Sequence, residues 1–166
     1  MNKQVIYLTK ASVEHVETVF ELLTPKTCRD LAISPVDTIE KARDFINGVN
    51  SNQNWRMFIC HQEHGVIGGL SFTLIEGQSG ATNGQMTAMF SYWLGENYRR
   101  KGYTVTAVKI LLDSLKEKGV KHFLAQVYPY NIGSQKVLEK FNFRCDPMSL
   151  LQGTNPPKLV DFTCSM

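Results

Sequence analysis

The sequence has no apolar run of the roughly 20 residues that a membrane-crossing helix requires. Met1 is followed by Asn2, Lys3 and Gln4 rather than by the apolar stretch of a leader peptide. No membrane span and no secretory signal are expected. Charge of either sign is barely in excess: 18 basic residues stand against 15 acidic ones, a net +3. So slight a bias argues against a general nucleic-acid binder, which needs a basic patch or stripe. Cysteine is sparse. Cys28, Cys60, Cys145 and Cys164 are scattered, with no CxxC pair and no Cys/His spacing of a metal site, so no metal is expected. That usage suits a reducing compartment, and the cytoplasm is the expected location. Internal repeats and low-complexity tracts are missing as well.

What is present is ordinary globular material. The 166 residues make about one domain, able to bury a core without staples, and residues 1–166 read as a single domain. Residues 5–9 read as a strand. Ser12 caps a helix with Glu14 in its first turn, and Val13, Val16, Phe20 and Leu23 share one face. Pro25 should end that helix, and residues 27–35 read as loop or a broken second helix. Asp37 and Glu40 have the spacing of a capping box. Ile39, Ala42 and Ile46 follow as a short apolar stripe, stopped by Asn47-Gly48.

The period then changes to two. Residues 55–61 and 66–75 read as strands around a turn at Glu63-His64-Gly65. Gly68-Gly69 marks a bulge or a close backbone approach. A polar, glycine-rich loop over residues 77–84 leads to a third strand, 85–94. A helix follows with Val108, Leu111, Leu112 and Leu115 inward and Gly119 as its stop. Residues 121–128 alternate as a strand, Asn131 caps a short helix carrying Val137, Leu138 and Phe141, and Phe143 returns to strand. Asn155-Pro156-Pro157 breaks the tail into a final hairpin, near residues 150–162, that offers an edge for dimerisation. The fold class is α+β: a twisted, mostly antiparallel mixed sheet of six to seven strands flanked by about four helices.

One stretch organises the rest. Between the strand ending at Leu94 and the next helix lies Arg99-Arg100-Lys101-Gly102-Tyr103-Thr104. A basic turn with one glycine at a helix start gathers free backbone N–H groups and the positive end of a helix dipole, which suits a phosphate group. Read alone, the triplet Arg99, Arg100 and Lys101 is equally a solvated turn.

At these residues the sequence resembles the acetyl-CoA-binding signature of the GNAT superfamily of N-acetyltransferases: Gln or Arg, two residues, Gly, one residue, then Gly or Ala. Tyr92-Trp93-Leu94-Gly95 together with Asn131, Ser134, Val137-Leu138-Glu139-Lys140 and Phe143 is similar to the branch containing the ribosomal-protein alanine N-acetyltransferases. Four positions depart from that pattern. Thr104 replaces Gly or Ala, Arg100 replaces a frequent Gly, Thr106 replaces a frequent Glu, and Asn142 replaces the common Gly before Phe143. The resemblance implies acetyl-CoA in a V-shaped opening between the strands at 85–94 and 121–128. By position, the backbone of Tyr92 and Leu94 would pair with the pantetheine arm. Arg99, Arg100, Lys101, Gly102, Tyr103 and Thr104 would hold the pyrophosphate, the last five through their N–H groups. Asn131 would bind pantetheine, and Ser134 would lie near the thioester sulfur.

Acetyl transfer to an amine needs a neutral amine, a polarised carbonyl and a proton or hydrogen bond for the departing thiolate. The N–H near Leu94 suits the carbonyl. Ser134, Tyr128 and Tyr130 are the candidates for the donor, with Ser134 and Tyr128 preferred. No base is evident: Glu96 reads as structural, Glu17 and Glu21 as a solvated helix face, and His61 and His64 as hairpin residues far from the opening. The expected partner is an amine acceptor, a protein N-terminus or a small molecule, with no nucleic acid and no membrane, for a monomer or homodimer. A non-catalytic acyl-CoA-binding module is the alternative.

Overall fold

The computed structural model describes residues 5–49, 55–76, 85–146 and 160–165. The expected glycine-rich loop at 77–84 and the Asn155-Pro156-Pro157 breaker lie outside these residues. Seven strands form one mixed sheet: β1 (Ile6–Lys10), β2 (Met57–His61), β3 (Gly65–Glu76), β4 (Met86–Leu94), β5 (His122–Val127), β6 (Arg144–Cys145) and β7 (Val160–Ser165). Their order is β1-β2-β3-β4-β5-β7-β6. Among the described residues the α-helices are α1 (Val16–Leu22), α2 (Pro25–Asp30), α3 (Ile39–Asn47), α4 (Tyr103–Glu117) and α5 (Ile132–Glu139). The α+β class is therefore observed, with five helices rather than about four. No helix of the described residues is long and apolar enough to cross a membrane.

The chain forms two compact units, Met1–Phe72 with Tyr92–Leu111, and Thr73–Ser91 with Leu112–Met166. In the first, Ser12 accepts from the Glu14 N–H and opens a 3-10 turn, Val13–His15, that runs into α1. Thr24 then caps α2 by accepting from the Thr27 N–H, with Pro25 in its first turn. Pro25 thus starts a helix instead of only ending one, because a helix start wastes no N–H and favours the φ that proline fixes. The cap of α3 also differs from expectation. Thr38, not Asp37, accepts from the Lys41 N–H at 3.2 Å, while Asp37 pairs with the Lys41 ammonium at 2.6 Å. Gly48, at φ 73°, ends α3 in the left-handed conformation the Asn-Gly pair predicts.

Val16, Val19, Leu23, Ala42, Phe45, Ile46, Trp55, Phe58 and Trp93 build the core of this unit. Both faces of β3 are buried from Val66 to Ser71, so its alternation is hidden there. Gly68 and Gly69 are the reason Trp93 fits: a Cβ on either would collide with it. The register also shifts opposite Ile59 and Cys60, so the glycine pair adjoins a bulge as well as a close approach.

In the second unit β4 pairs in parallel with β5 from Thr87 to Phe90, and Phe123, Ala125, Leu138, Phe143 and Phe162 are buried. Gly119 and Asn142, at φ 89° and 62°, follow α4 and α5. β7 bonds to β5 on one side and to β6 on the other. The tail strand is therefore internal, and Phe162 does not belong to the free edge expected for dimerisation; residues 150–159 lie outside the described set.

Candidate active site

β4 ends at Leu94, and a 3-10 turn, Glu96–Tyr98, carries the chain to the signature before α4 begins at Tyr103. Two signature residues are left-handed, Arg100 at φ 62° and Gly102 at φ 79°. A Cβ on Gly102 would meet nothing within 4 Å, so the backbone lies open to an approaching group. The Gly102 carbonyl accepts the Thr106 N–H at 3.2 Å and the Thr106 hydroxyl at 3.3 Å. That second bond is the local network that Thr106 supports in place of the frequent Glu. The first-turn amides of a helix have no intrahelical acceptor, so Tyr103 and Thr104 offer theirs at the positive end of the α4 dipole. Arg100 and Lys101 are exposed beside them. Open glycine backbone, helix-start amides and two solvent-facing cations fit a pyrophosphate.

Arg99 does not join them. Its guanidinium donates to Asp30 Oδ2 at 2.6 Å, to Thr27 Oγ1 at 3.0 Å and, through Nε, to the Leu94 carbonyl at 3.0 Å. Expected as a phosphate ligand, it is a strut between the turn and α2. Burial works to raise the Asp30 carboxyl, but hydrogen bonds and charge from Lys26 and Arg99 outweigh it and hold the group below the usual carboxylate range. Thr24 donates its hydroxyl to the Glu96 carboxylate, which makes Glu96 structural, as read from sequence. Thr27 and Asp30 are site residues that sequence reasoning missed, and only the capping pair Thr24-Pro25 could have signalled the helix that carries them.

The Leu94 carbonyl, taken by Arg99, is correspondingly withdrawn from the pairing role expected for it. The Gly95 N–H donates to the Ile67 carbonyl at 2.9 Å. By strand alternation Trp93 also turns its backbone to β3, and Tyr92 and Leu94 turn theirs to the opposite edge. Trp93 is buried, edge-on to Phe45 and Trp55 at 5.8 and 6.4 Å, and its indole N–H has no partner.

The β2–β3 hairpin packs against the signature. His61 and His64 are not far from the signature: their rings stack 4.5 Å apart, His61 lies 5.2 Å from Tyr103, and His64 lies 5.6 Å from Tyr98. With Glu63 they bring three ligand-type atoms within 4.8 Å of one another, a grouping no sequence spacing suggested. His61 Nδ1 accepts the Glu63 N–H at 3.1 Å. The ring contacts set the hairpin against Tyr98 and Tyr103. Glu17 and Glu21 are exposed on α1, as a solvated face requires.

In the second unit, the loop from β5 to α5 is tightly wound. Asn131 N–H donates to the Tyr128 carbonyl at 2.9 Å. The Asn131 side-chain oxygen accepts the Ser134 N–H at 3.2 Å and caps α5. Ser134 is half-buried in the first turn of α5. Tyr128 and Tyr130 stack in parallel, 5.1 Å apart at 11°, with Tyr128 half-buried and Tyr130 exposed.

The signature turn lies in the first unit and the Asn-x-x-Ser start of α5 in the second. The acetyltransferase (GNAT) domain family matches residues 6–144, and the chain belongs to that family. It is an acetyltransferase that uses acetyl-CoA. Solved structures agree on the fold. A GNAT-family acetyltransferase from Bacillus anthracis is 19% identical with a TM-score of 0.72, covering 100% of this chain and 96% of its own. The microcin C7 self-immunity acetyltransferase MccE, in complex with acetyl-CoA and AMP, is 19% identical with a TM-score of 0.71, covering 99% and 93%. RimL, a ribosomal L7/L12 alpha-N-protein acetyltransferase in complex with coenzyme A, is 17% identical with a TM-score of 0.69, covering 99% and 94%. No curated protein sequence matches the chain.

Proposed function

We propose that this enzyme is an N-acetyltransferase that moves the acetyl group directly to a primary amine in a ternary complex, and that the amine is a protein N-terminus. The carrying observation is the absence of an available base within the two site stretches. Residues 92–104 and 128–134 contain no histidine and one carboxylate, Glu96, which is bound to Thr24. An α-amine, with a pKa of about 7.7–8.0, loses its proton near neutral pH unaided, whereas a lysine amine at about 10.4 does not. The likeness to RimL, which is described as an alpha-N-protein acetyltransferase, supports the same choice.

Acetyl-CoA supplies an activated thioester carbonyl and a thiol leaving group. The Arg100–Thr104 turn would bind its phosphates, Arg100 and Lys101 adding charge. The Asn131 amide and the Tyr92 backbone would orient the pantetheine. The Leu94 N–H would polarise the carbonyl. Tyr128 would donate the proton to the thiolate, because a phenol near pKa 10 gives up a proton more readily than an alcohol, with Ser134 as a hydrogen-bond donor. The scattered placing of four cysteines, with no CxxC pair, supports a cytoplasmic setting. We take the chain to act as one domain, monomeric or dimeric.

Thiol release from acetyl-CoA, measured with one panel of peptides and one of small amines, tests this reading. Release with peptides alone is expected. Release with small amines alone would move the acceptor to that class, and tight acetyl-CoA binding without any amine-dependent release would make the protein a binding module.

A further inference from the structure

An open groove of about 660 Å³ lies in the first unit, between the end of β1, the end of α3 and the start of β2, a size suited to a ligand or a peptide anchor. Ile46, Trp55, Met57 and Phe72 give it apolar walls, and Lys10 and Arg56 are its charged lining groups among the described residues. Neither cation is in an ion pair among the described residues. The Arg56 guanidinium sits 5.2 Å from the centre of the Phe72 ring, which holds it over the groove. Two cations over apolar walls, with no acidic counterpart in the lining, focus a positive field and attract an anion. Trp55 ties the groove to the reacting strand, since its ring meets Trp93 and Trp93 lies between Tyr92 and Leu94. One strand separates β2 from β4, so two spacings of about 4.8 Å, or about 10 Å, lie between them across the sheet; Leu94 packs on Gly68, whereas Arg56 precedes Met57, the partner of Leu70, which adds about 10 Å along the strands. An extended chain covers the combined distance, about 14 Å, in about four residues.

We infer that the groove seats the acceptor peptide, and that it selects chains whose N-terminal amine is followed about four residues later by a carboxylate beside apolar side chains. This rests on the N-terminal acetyltransferase reading above.

The full chain should be assayed with hexapeptides that differ only at the fifth position, carrying aspartate, alanine or lysine there. Two readouts are needed: turnover with acetyl-CoA, and quenching of tryptophan emission without it. The chain has two tryptophans, of which Trp55 lines the groove. The aspartate peptide should show a KM about fivefold or more below that of the lysine peptide at low salt, and the gap should close as salt rises. Its quenching should saturate at correspondingly lower concentration. The reversal Lys10→Glu with Arg56→Glu should invert the order and leave the acetyl-CoA KM unchanged. Lys10→Gln with Arg56→Gln, a milder control for folding, should flatten it. Turnover without charge preference, or a preference that survives reversal, would overturn the groove while sparing the acetyltransferase reading. Charge-selective quenching with no turnover of any peptide would do the opposite. Absence of both preference and quenching would overturn the groove as well.

Discussion

Arg100 holds a left-handed backbone at φ 62°, a conformation that costs a residue with a Cβ on the order of 1 kcal/mol. Relatives often have glycine at that place, and this chain keeps a cation there instead. Arg100→Gly should raise unfolding stability by about 0.5–1 kcal/mol, seen in denaturant titration, and raise the acetyl-CoA KM several-fold through the lost charge. Gly102 has the converse geometry. Its φ of 79° penalises any side chain, but a Cβ there meets open space. Gly102→Val should therefore fold, losing about 1–2 kcal/mol, while its methyl groups fill the space that a phosphate needs. Isothermal titration should show no acetyl-CoA binding; unchanged affinity in the folded variant would sink the placement of the phosphates.

The short helices show which local signals carry and which mislead. Asn131 was legible as the cap of α5 because a side-chain oxygen can meet the N–H three residues on whatever the rest of the chain does. Two substitutions separate its capping from its binding. Asn131→Asp keeps the oxygen and removes the amide donor, so stability should hold in a thermal melt while acetyl-CoA affinity falls. Asn131→Ala should lose both, with about 1 kcal/mol of stability gone. Thr24-Pro25 was legible only by half, since proline punctuates a helix at either end and a six-residue helix shows no period. At α3, Asp37 and Thr38 are both capping types. Lys41 decides between them by pairing with Asp37, leaving the cap to Thr38.

Across the first unit as a whole, the cofactor turn is braced by partners distant in sequence. Arg99 reaches Asp30 over 69 positions, and the His61–His64 pair packs on Tyr98 and Tyr103. The Asp30 carboxyl is held below its ordinary range, so its stabilising contribution is fully present above the unfolded-state pKa of about 3.9 and is lost as pH falls through the lower folded value. Asp30→Asn should then be less stable than the parent at neutral pH, with the difference shrinking below about pH 4, as followed by urea midpoints across pH. The same variant should raise the acetyl-CoA KM, because Arg99 loses the acceptor that fixes the turn.

By itself the sequence determined the order of helices and strands, most of their caps and stops, and the glycine turn that opens α4. Those features rest on contacts within a few residues and on φ values that glycine, asparagine and proline favour. The tertiary structure decided what side-chain type leaves open. Arg99 turned inward because Asp30, Thr27 and the Leu94 carbonyl offered three acceptors that solvent phosphate would have to outbid. Gly68 and Gly69 admitted Trp93 because a missing Cβ has meaning only against the neighbour that fills the space. The last strand became internal because β5 and β6 both presented open backbone edges to it, and edges of that kind are satisfied by whichever strand the fold brings to them.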